Sequence, residues 1–477
     1  MDPFASDFTD SVRSSTPNRD ALALVGEPDP SAAAESFARA ANDPDLAGCL
    51  ADWCPALLTS ARPRQAADRL ADLAEARRAA GAPLEIGRLH ALPIVLGSSD
   101  FLSRLLIQHP AWVEELSGAT PDPPREVSPQ AGWDEIRAEK YRALLRIAAR
   151  DLVGRPFAES LRELSDLADG CLAAAVRCTT LDTNTASPAV FALGKLGGRE
   201  LNFSSDVDLL FLYESPRGEV DPARGGAATT FIRHFKKQLE LPSPDGFVYR
   251  VDLGLRPEGA AGALAQSVES ALSYYEVSGA DWERQMLIRL RALGGPPAVT
   301  AEFVDGIRPF TYRRSIDPSA IGAVRTMKDR IESERREAGR DLEADLKEGP
   351  GGIRDVEFLV QSFQLFWGAR VASLRTGNTL DGLAELARQG LLPEPTAERL
   401  ADAYVWLRRA EHALQMADEQ QTSRFPREPT AQLRLARRMR YIEPNGDAAR
   451  TRLLDDWRRF RSEVRVHFEA LVLRGGS

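Results

Sequence analysis

The sequence predicts an α+β protein that is predominantly helical, with one small mixed sheet near the middle of the chain. Three observations carry this expectation. From about 31 to 180, apolar residues recur at helical spacing, as at Trp133, Ile136, Tyr141, Leu144, Ala148 and Leu152. Between about 186 and 300 the pattern shortens into strand-like runs. After about 310 the helical period returns, with Leu400, Ala403, Tyr404, Leu407, Ala410 and Leu414 along one face.

Taken in order, 477 residues exceed what a single core fills, so several domains are expected. Residues 1–30 read as a flexible tail, 31–180 as an N-terminal helical region, 181–310 as the core that holds the sheet, and 311–477 as a C-terminal helical bundle. Pro63, Pro93, Pro110 and the run from Pro121 to Pro124 divide the first region into several helices and a linker. Three strands follow: Ala189 to Leu193, an apolar run that ends at Gly194; Val207 to Tyr213, rich in apolar and aromatic residues; and Phe247 to Leu253, which alternates polar and apolar. A helix over Thr230 to Leu239 separates the second from the third. Gly390, followed by Leu391, Leu392 and Pro393, marks a helix end. No fixed-period repeat is present.

Composition narrows the classes of function. With 43% apolar and 27% charged residues the chain has the balance of an ordinary folded protein. A formal net charge of -9 argues against a general nucleic-acid binder, which needs surplus Lys and Arg on its surface. The first twenty residues are acidic and polar where a secretory signal is basic and then apolar. No apolar run approaches the roughly 20 residues that span a bilayer, so a cytoplasmic protein without membrane association is expected. Cys49, Cys54, Cys171 and Cys178 lack Cys-x-x-Cys spacing and read as small buried side chains. His90, His109, His234, His412 and His467 share no short spacing, which speaks against a zinc site or a Ser/His/Asp triad.

The chemistry therefore rests on carboxylates. Asp206 and Asp208 are one residue apart at the start of a strand, and period-two geometry sends both to one side of the sheet. Two like charges there repel unless a cation lies between them, and oxygen-only ligands favour Mg²⁺ or Mn²⁺. Asp252, on the third strand, adds another acid. Three carboxylates from two strands can hold two metal ions, which orient a phosphate and stabilise charge during in-line displacement. An isolated Asp-x-Asp is more often a turn residue followed by a solvated strand residue. The surroundings reverse that reading: eleven residues separate Gly194 from Asp206, with Gly197, Gly198, Ser204 and Ser205 among them. Small residues let backbone N–H groups approach phosphate oxygens, Ser204 and Ser205 can donate hydrogen bonds, and Lys195 adds a point charge. Gly194-Lys195 is not a Walker loop, because the spacing from an earlier glycine and the following Ser or Thr are missing.

Other residues are more ambiguous. Arg256, four residues after Asp252, is placed to clamp phosphate oxygens or to pair with Glu258. Glu283, Arg284, Arg289 and Arg291 read as a solvated mixed-charge helix, with Arg284 a weaker substrate-binding candidate and Trp282 in the core. Gly349, Gly351 and Gly352 precede a helix with Ile353, Val356, Val360 and Phe363 on its apolar face, and Lys347, Arg354, Asp355 and Glu357 crowd its N-terminus. An acid in a first turn is commonly a dipole partner, which accounts for Asp355.

Longer strings resemble a known family. Gly194, eleven residues and then Asp-x-Asp is similar to the signature of DNA polymerase β-like nucleotidyltransferases. GKLGGRELNFSSDVDLLF (194–211), VDLGLRPEG (251–259) and LKEGPGGIRDVEFLVQ (346–361) are together similar to the glutamine synthetase adenylyltransferase/adenylyl-removing family. The resemblance covers roughly residues 90–470. It implies a polymerase β-like core with flanking helices, two Mg²⁺ or Mn²⁺ ions on Asp206, Asp208 and Asp252, and Lys195, Ser205 and Arg256 against phosphate or nucleotide. It also raises Glu357 or Asp355 as residues facing the cleft.

Members of that family usually carry two such units, one adding AMP to a tyrosine of glutamine synthetase and one removing it by phosphorolysis. One unit is present here, so either the other half lies on a longer protein or a partner chain supplies it. GADWERQMLIRLRALGG (279–295) and LGSSDFLSRLLIQHPAWVEEL (96–116) look more like the deadenylylating unit. The implied reaction takes phosphate in and releases ADP, with glutamine synthetase as substrate and a PII signalling protein and glutamine as possible effectors. The alternatives are ATP-dependent adenylylation of the same tyrosine, or an inert module that binds glutamine synthetase or PII.

Overall fold

The computed structural model describes residues 3–14, 16–82, 89, 91–116, 127–214, 221–314, 333, 337, 339 and 341–470. By their contacts these fall into two units: described residues within 1–125, 142–160 and 407–459, and those within 126–141, 161–406 and 460–477. Neither division point of the sequence reading, at 180 or at 310, coincides with a unit boundary. His90, the Pro121–Pro124 run and the terminal Gly475-Gly476-Ser477 lie outside the described residues.

The first unit begins with seven helices: α1 (Pro3–Arg13), α2 (Arg19–Leu24), α3 (Pro30–Ala41), α4 (Leu50–Leu58), α5 (Pro63–Ala79), α6 (Leu92–Ser98) and α7 (Asp100–Gln108). The expected tail is therefore corrected, since α1 and α2 occupy it. Phe8, Val12 and Leu22 are buried, and the Phe8 ring meets Phe37 of α3 edge-on at 5.1 Å. Asn18 starts α2 by accepting hydrogen bonds from the Asp20 and Ala21 amides. Helix α5 packs against α3, α6 and α7. Two long helices follow, α8 (Trp133–Leu152), with the expected bounds, and α9 (Phe157–Thr183).

The second unit holds the sheet. Its strands are β1 (Ala189–Ala192), β2 (Val207–Tyr213), β3 (Val251–Asp252), β4 (Gln266–Ser267) and β5 (Arg291–Gly294). The order is β3-β2-β1-β5; β1 runs antiparallel to β2 and β5, while β3 and β4 pair parallel with β2. Around it lie α10 (Gly194–Gly197), α11 (Pro222–Leu239), α12 (Val268–Val277), α13 (Asp281–Leu287), α14 (Pro297–Thr311), α15 (Ile353–Trp367) and α16 (Thr379–Arg388). Helices α17 (Glu394–Asp418), α18 (Pro429–Arg438) and α19 (Gly446–Phe468) complete the chain.

Alternation along β2 explains why it is central. Leu210 and Leu212 join Phe191, Val268, Tyr275 and Phe303 in one core with α12 and α14, whereas Phe211 meets Phe235 of α11 at 5.6 Å. The third strand is shorter than expected because other groups satisfy its backbone. Lys140 Nζ and Tyr141 Oη donate to the Phe247 carbonyl at 3.0 and 2.8 Å, and the Val248 and Tyr249 amides donate to the Leu239 carbonyl. Cys54, Cys171 and Cys178 are buried, Cys49 is half-buried, and all four are free thiols. Among the described residues no helix is long and apolar enough to cross a membrane.

Candidate active site

Two backbone hydrogen bonds fix the acids at the edge of the sheet. The Leu193 amide donates to the Asp208 carbonyl and the Val207 amide to the Arg250 carbonyl, both at 2.9 Å. They tie the start of β2 to the end of β1 on one side and to β3 on the other. In the parallel β2–β3 register, Asp208 is the direct partner of Asp252. Asp206 precedes β2 and lines a cleft of 580 Å³ with Asp252, Arg250 and Arg256, and with Ile232, Arg233 and Lys236 of α11.

Gly194 makes the closest approach to the acids. It sits at φ +54°, and a Cβ there would lie 1.9 Å from Asp208 Oδ2. Any side chain would collide with the carboxylate, in addition to the left-handed backbone cost. Gly197, at the end of α10, is constrained in the same way by the Arg289 carbonyl, 1.9 Å from where its Cβ would fall.

The electrostatics follow from this crowding. Burial pushes the Asp208 carboxyl up to about 7, helped by the charges of Asp206 and Asp252, while Lys347 and Lys195 pull the other way. At Asp208 burial and the neighbouring acids thus outweigh the two lysines. Among the described residues no group of three or more His, Cys, Asp or Glu side chains stands ready to hold a metal ion. Asp252 Oδ1 accepts the Gly254 amide at 2.6 Å. The donor set is nevertheless oxygen-only and anionic, the chemistry that suits a hard divalent cation.

Comparison with known proteins finds related sequences. Residues 89–306 match the family model of glutamate-ammonia ligase adenylyltransferase. Curated relatives described as bifunctional glutamine synthetase adenylyltransferase/adenylyl-removing enzymes are similar over most of the chain. One from Xanthomonas campestris is 38% identical over 381 residues, covering 75% of this chain and 40% of the relative. One from Pseudomonas aeruginosa is 35% identical over 464 residues, covering 90% of this chain and 46% of the relative. Over residues 89–306 the chain carries the domain of the glutamate-ammonia ligase adenylyltransferase family. It spans less than half the length of the curated relatives it matches. Residues 325–472 also match the family model of GlnD PII-uridylyltransferase, a second resemblance that the motifs alone did not suggest.

Within the chain, several other candidates hold the scaffold. Arg256 donates from Nε to the Gly262 carbonyl (3.0 Å), from Nη1 to Leu253 (2.8 Å) and from Nη2 to Ala260 (2.9 Å), so it pins the loop after β3 and does not pair with Glu258. Ser205 Oγ accepts the Asn202 amide, and Arg250 donates to the carbonyl and hydroxyl of Ser204, each at 3.2 Å. Both serines shape the turn between Gly198 and Asp206. Asp355 accepts the Gly351 amide at 2.8 Å, the first-turn role expected of it.

The helix expected to be a solvated charged face is corrected. Arg284 is buried and donates to the Phe310 carbonyl and to Asp281, while Glu283 is buried and accepts the Ala280 amide at 2.8 Å. Trp282, expected in the core, is 42% exposed, because its charged neighbours take the inward face. Glu357 lies in a buried network with Arg289 and Glu200. In the sequence Lys347 stands out only as part of a crowded helix N-terminus, and the candidates drawn from it do not include Arg233 and Lys236. Their three-residue spacing on α11, one helical turn, was the available signal.

Proposed function

We propose that this chain removes AMP from an adenylylated tyrosine of glutamine synthetase by phosphorolysis. The observation that carries the reading is the convergence of Asp206, Asp208 and Asp252 beside a close-approaching Gly194, in a chain that carries this family's domain. Asp206, Asp208 and Asp252 would hold Mg²⁺ or Mn²⁺, which supplies Lewis-acid stabilisation of the phosphoryl oxygens when bound. Lys195 and Lys347 offset part of the remaining negative charge. Arg233, on the wall of the cleft, binds the incoming phosphate and turns an oxygen toward the AMP phosphorus, while Lys236 is held by Glu240 and the Val251 carbonyl. That oxygen forms the new bond, the bond from phosphorus to the tyrosine oxygen breaks, and tyrosine and ADP leave.

The 279–295 and 96–116 strings support removal over addition of AMP. Two incubations test this: adenylylated glutamine synthetase with phosphate and Mg²⁺, and unmodified synthetase with ATP and Mg²⁺. ADP in the first and no pyrophosphate in the second is the expected result. Pyrophosphate in the second alone would establish adenylylation instead. Silence in both would favour an inert module that binds the synthetase or a PII protein.

A further inference from the structure

An arginine-rich cavity in the first unit shares no residue with the carboxylate site. It measures 430 Å³ and opens among residues 25–29, 60–65, 68 and 430–437. Arg62, Arg64, Arg434 and Arg437 line it. Arg437 is only 4% exposed; its Nη1 donates to the Tyr441 and Glu443 carbonyls, yet its buried Nη2 has no hydrogen-bond partner. Arg62 pairs through Nη1 with Asp100 at 2.5 Å, leaving its buried Nε and Nη2 without partners. Arg434 makes no ion pair among the described residues, and burial together with Arg62 holds it below the ordinary arginine range. Behind them Arg438 is pushed down to about 9 by burial and by Arg62.

The acids of the cavity do not answer these donors. Asp29 caps α3 by accepting the Ala32 amide at 3.0 Å, Asp68 lies 4.0 Å from Arg64, and Glu27 accepts the Arg64 amide at 3.4 Å. Arg62 and Arg437 are left with unmade hydrogen bonds beside the partly exposed Arg434, and a buried donor without a partner is costly unless a ligand answers it. Guanidinium forks match phosphate and carboxylate geometry. The volume falls within the roughly 300–1,000 Å³ of small-molecule sites and exceeds what a bare oxyanion fills.

We propose that this cavity is a second ligand site, which takes a small metabolite through a phosphate or carboxylate group held by Arg62, Arg434 and Arg437. The bound oxyanion joins the turn before α3, the start of α5 and helix α18. Ligand binding thereby reports on the packing of the first unit.

The test is thermal unfolding of the full chain without divalent metal, titrated with inorganic phosphate, with citrate, and with chloride at matched ionic strength. Phosphate or citrate should raise the melting temperature well beyond chloride; the stronger of the two identifies the class. Arg434→Gln, at a half-exposed position, should raise the half-saturating concentration about tenfold or more. Should that variant fail to fold, Thr430→Trp, at an exposed lining position, should give the same loss. Asp206→Asn should keep the citrate response. Equal responses to all three anions, an unchanged response in Arg434→Gln and Thr430→Trp, or loss of the response in Asp206→Asn would overturn the proposal.

Discussion

Two carboxylate clusters within the second unit show how the same side chains serve opposite ends. Glu200 and Glu357 share one guanidinium, Arg289, at 3.1 Å each. Thr379 adds its amide and hydroxyl to Glu200, and Tyr404 donates to Glu357. Although burial opposes it, the two glutamates hold Arg289 above its ordinary value. In the other cluster Asp208 is driven up to about 7 by burial and by the charges of Asp206 and Asp252. The first cluster fastens the segment after α10 to α15 and α16; the second crowds like charges together, an arrangement that favours a cation. Like charges crowded at the start of a strand point to chemistry, whereas balanced charge in a core marks structure.

The contrast can be broken at either end. The largest expected effect is on stability: Arg289→Leu strands two buried carboxylates and should cost about 3–5 kcal/mol, read by urea unfolding. Asp206→Asn should do the reverse, lowering turnover by roughly 10²–10³ or more while its unfolding midpoint stays at the wild-type value. Gly194→Ala should cost on the order of 1–2 kcal/mol for the left-handed backbone alone. It should also lose activity through its collision with Asp208, seen by combining melting with an activity assay.

The smallest effect sharpens the comparison by its sign. The folded-state pKa of Asp208 lies above its unfolded value, so its contribution to metal-free stability is fully present below about pH 3.9 and lost as pH rises through about 7. Asp208→Asn should therefore stabilise the metal-free protein above pH 7, by on the order of 1 kcal/mol or more, while abolishing activity. Equal or lower stability at pH 8 would mean that its neighbours do not crowd this carboxylate.

What the sequence made legible depended on whether the signal was local. Ala189–Ala192, Val207–Tyr213 and Trp133–Leu152 form as expected because their apolar periods are uninterrupted. The Asp-x-Asp spacing likewise carries the Asp206–Asp208 pair, and the register with Asp252 follows from a strand beside it. Long-range partners were not legible. The expected strand over Phe247–Leu253 shrinks because Lys140 and Tyr141, about a hundred residues earlier, take its backbone groups. Arg256 and Arg284 offered cationic side chains whose partners turned out to be carbonyls, a choice that residue type cannot encode. Helices α1 and α2 lie where the sequence predicts a tail; the signal for α1 is long-range, since its Phe8 finds its partner, Phe37, on another helix.

The most direct measurement supplies isotopically labelled inorganic phosphate with Mg²⁺ and adenylylated glutamine synthetase, and follows where the label goes. Label in the β-phosphate of ADP with the wild-type chain, and none with Asp206→Asn, is the predicted result. Unlabelled AMP as the product, or labelled ADP formed equally well by Asp206→Asn, would contradict it.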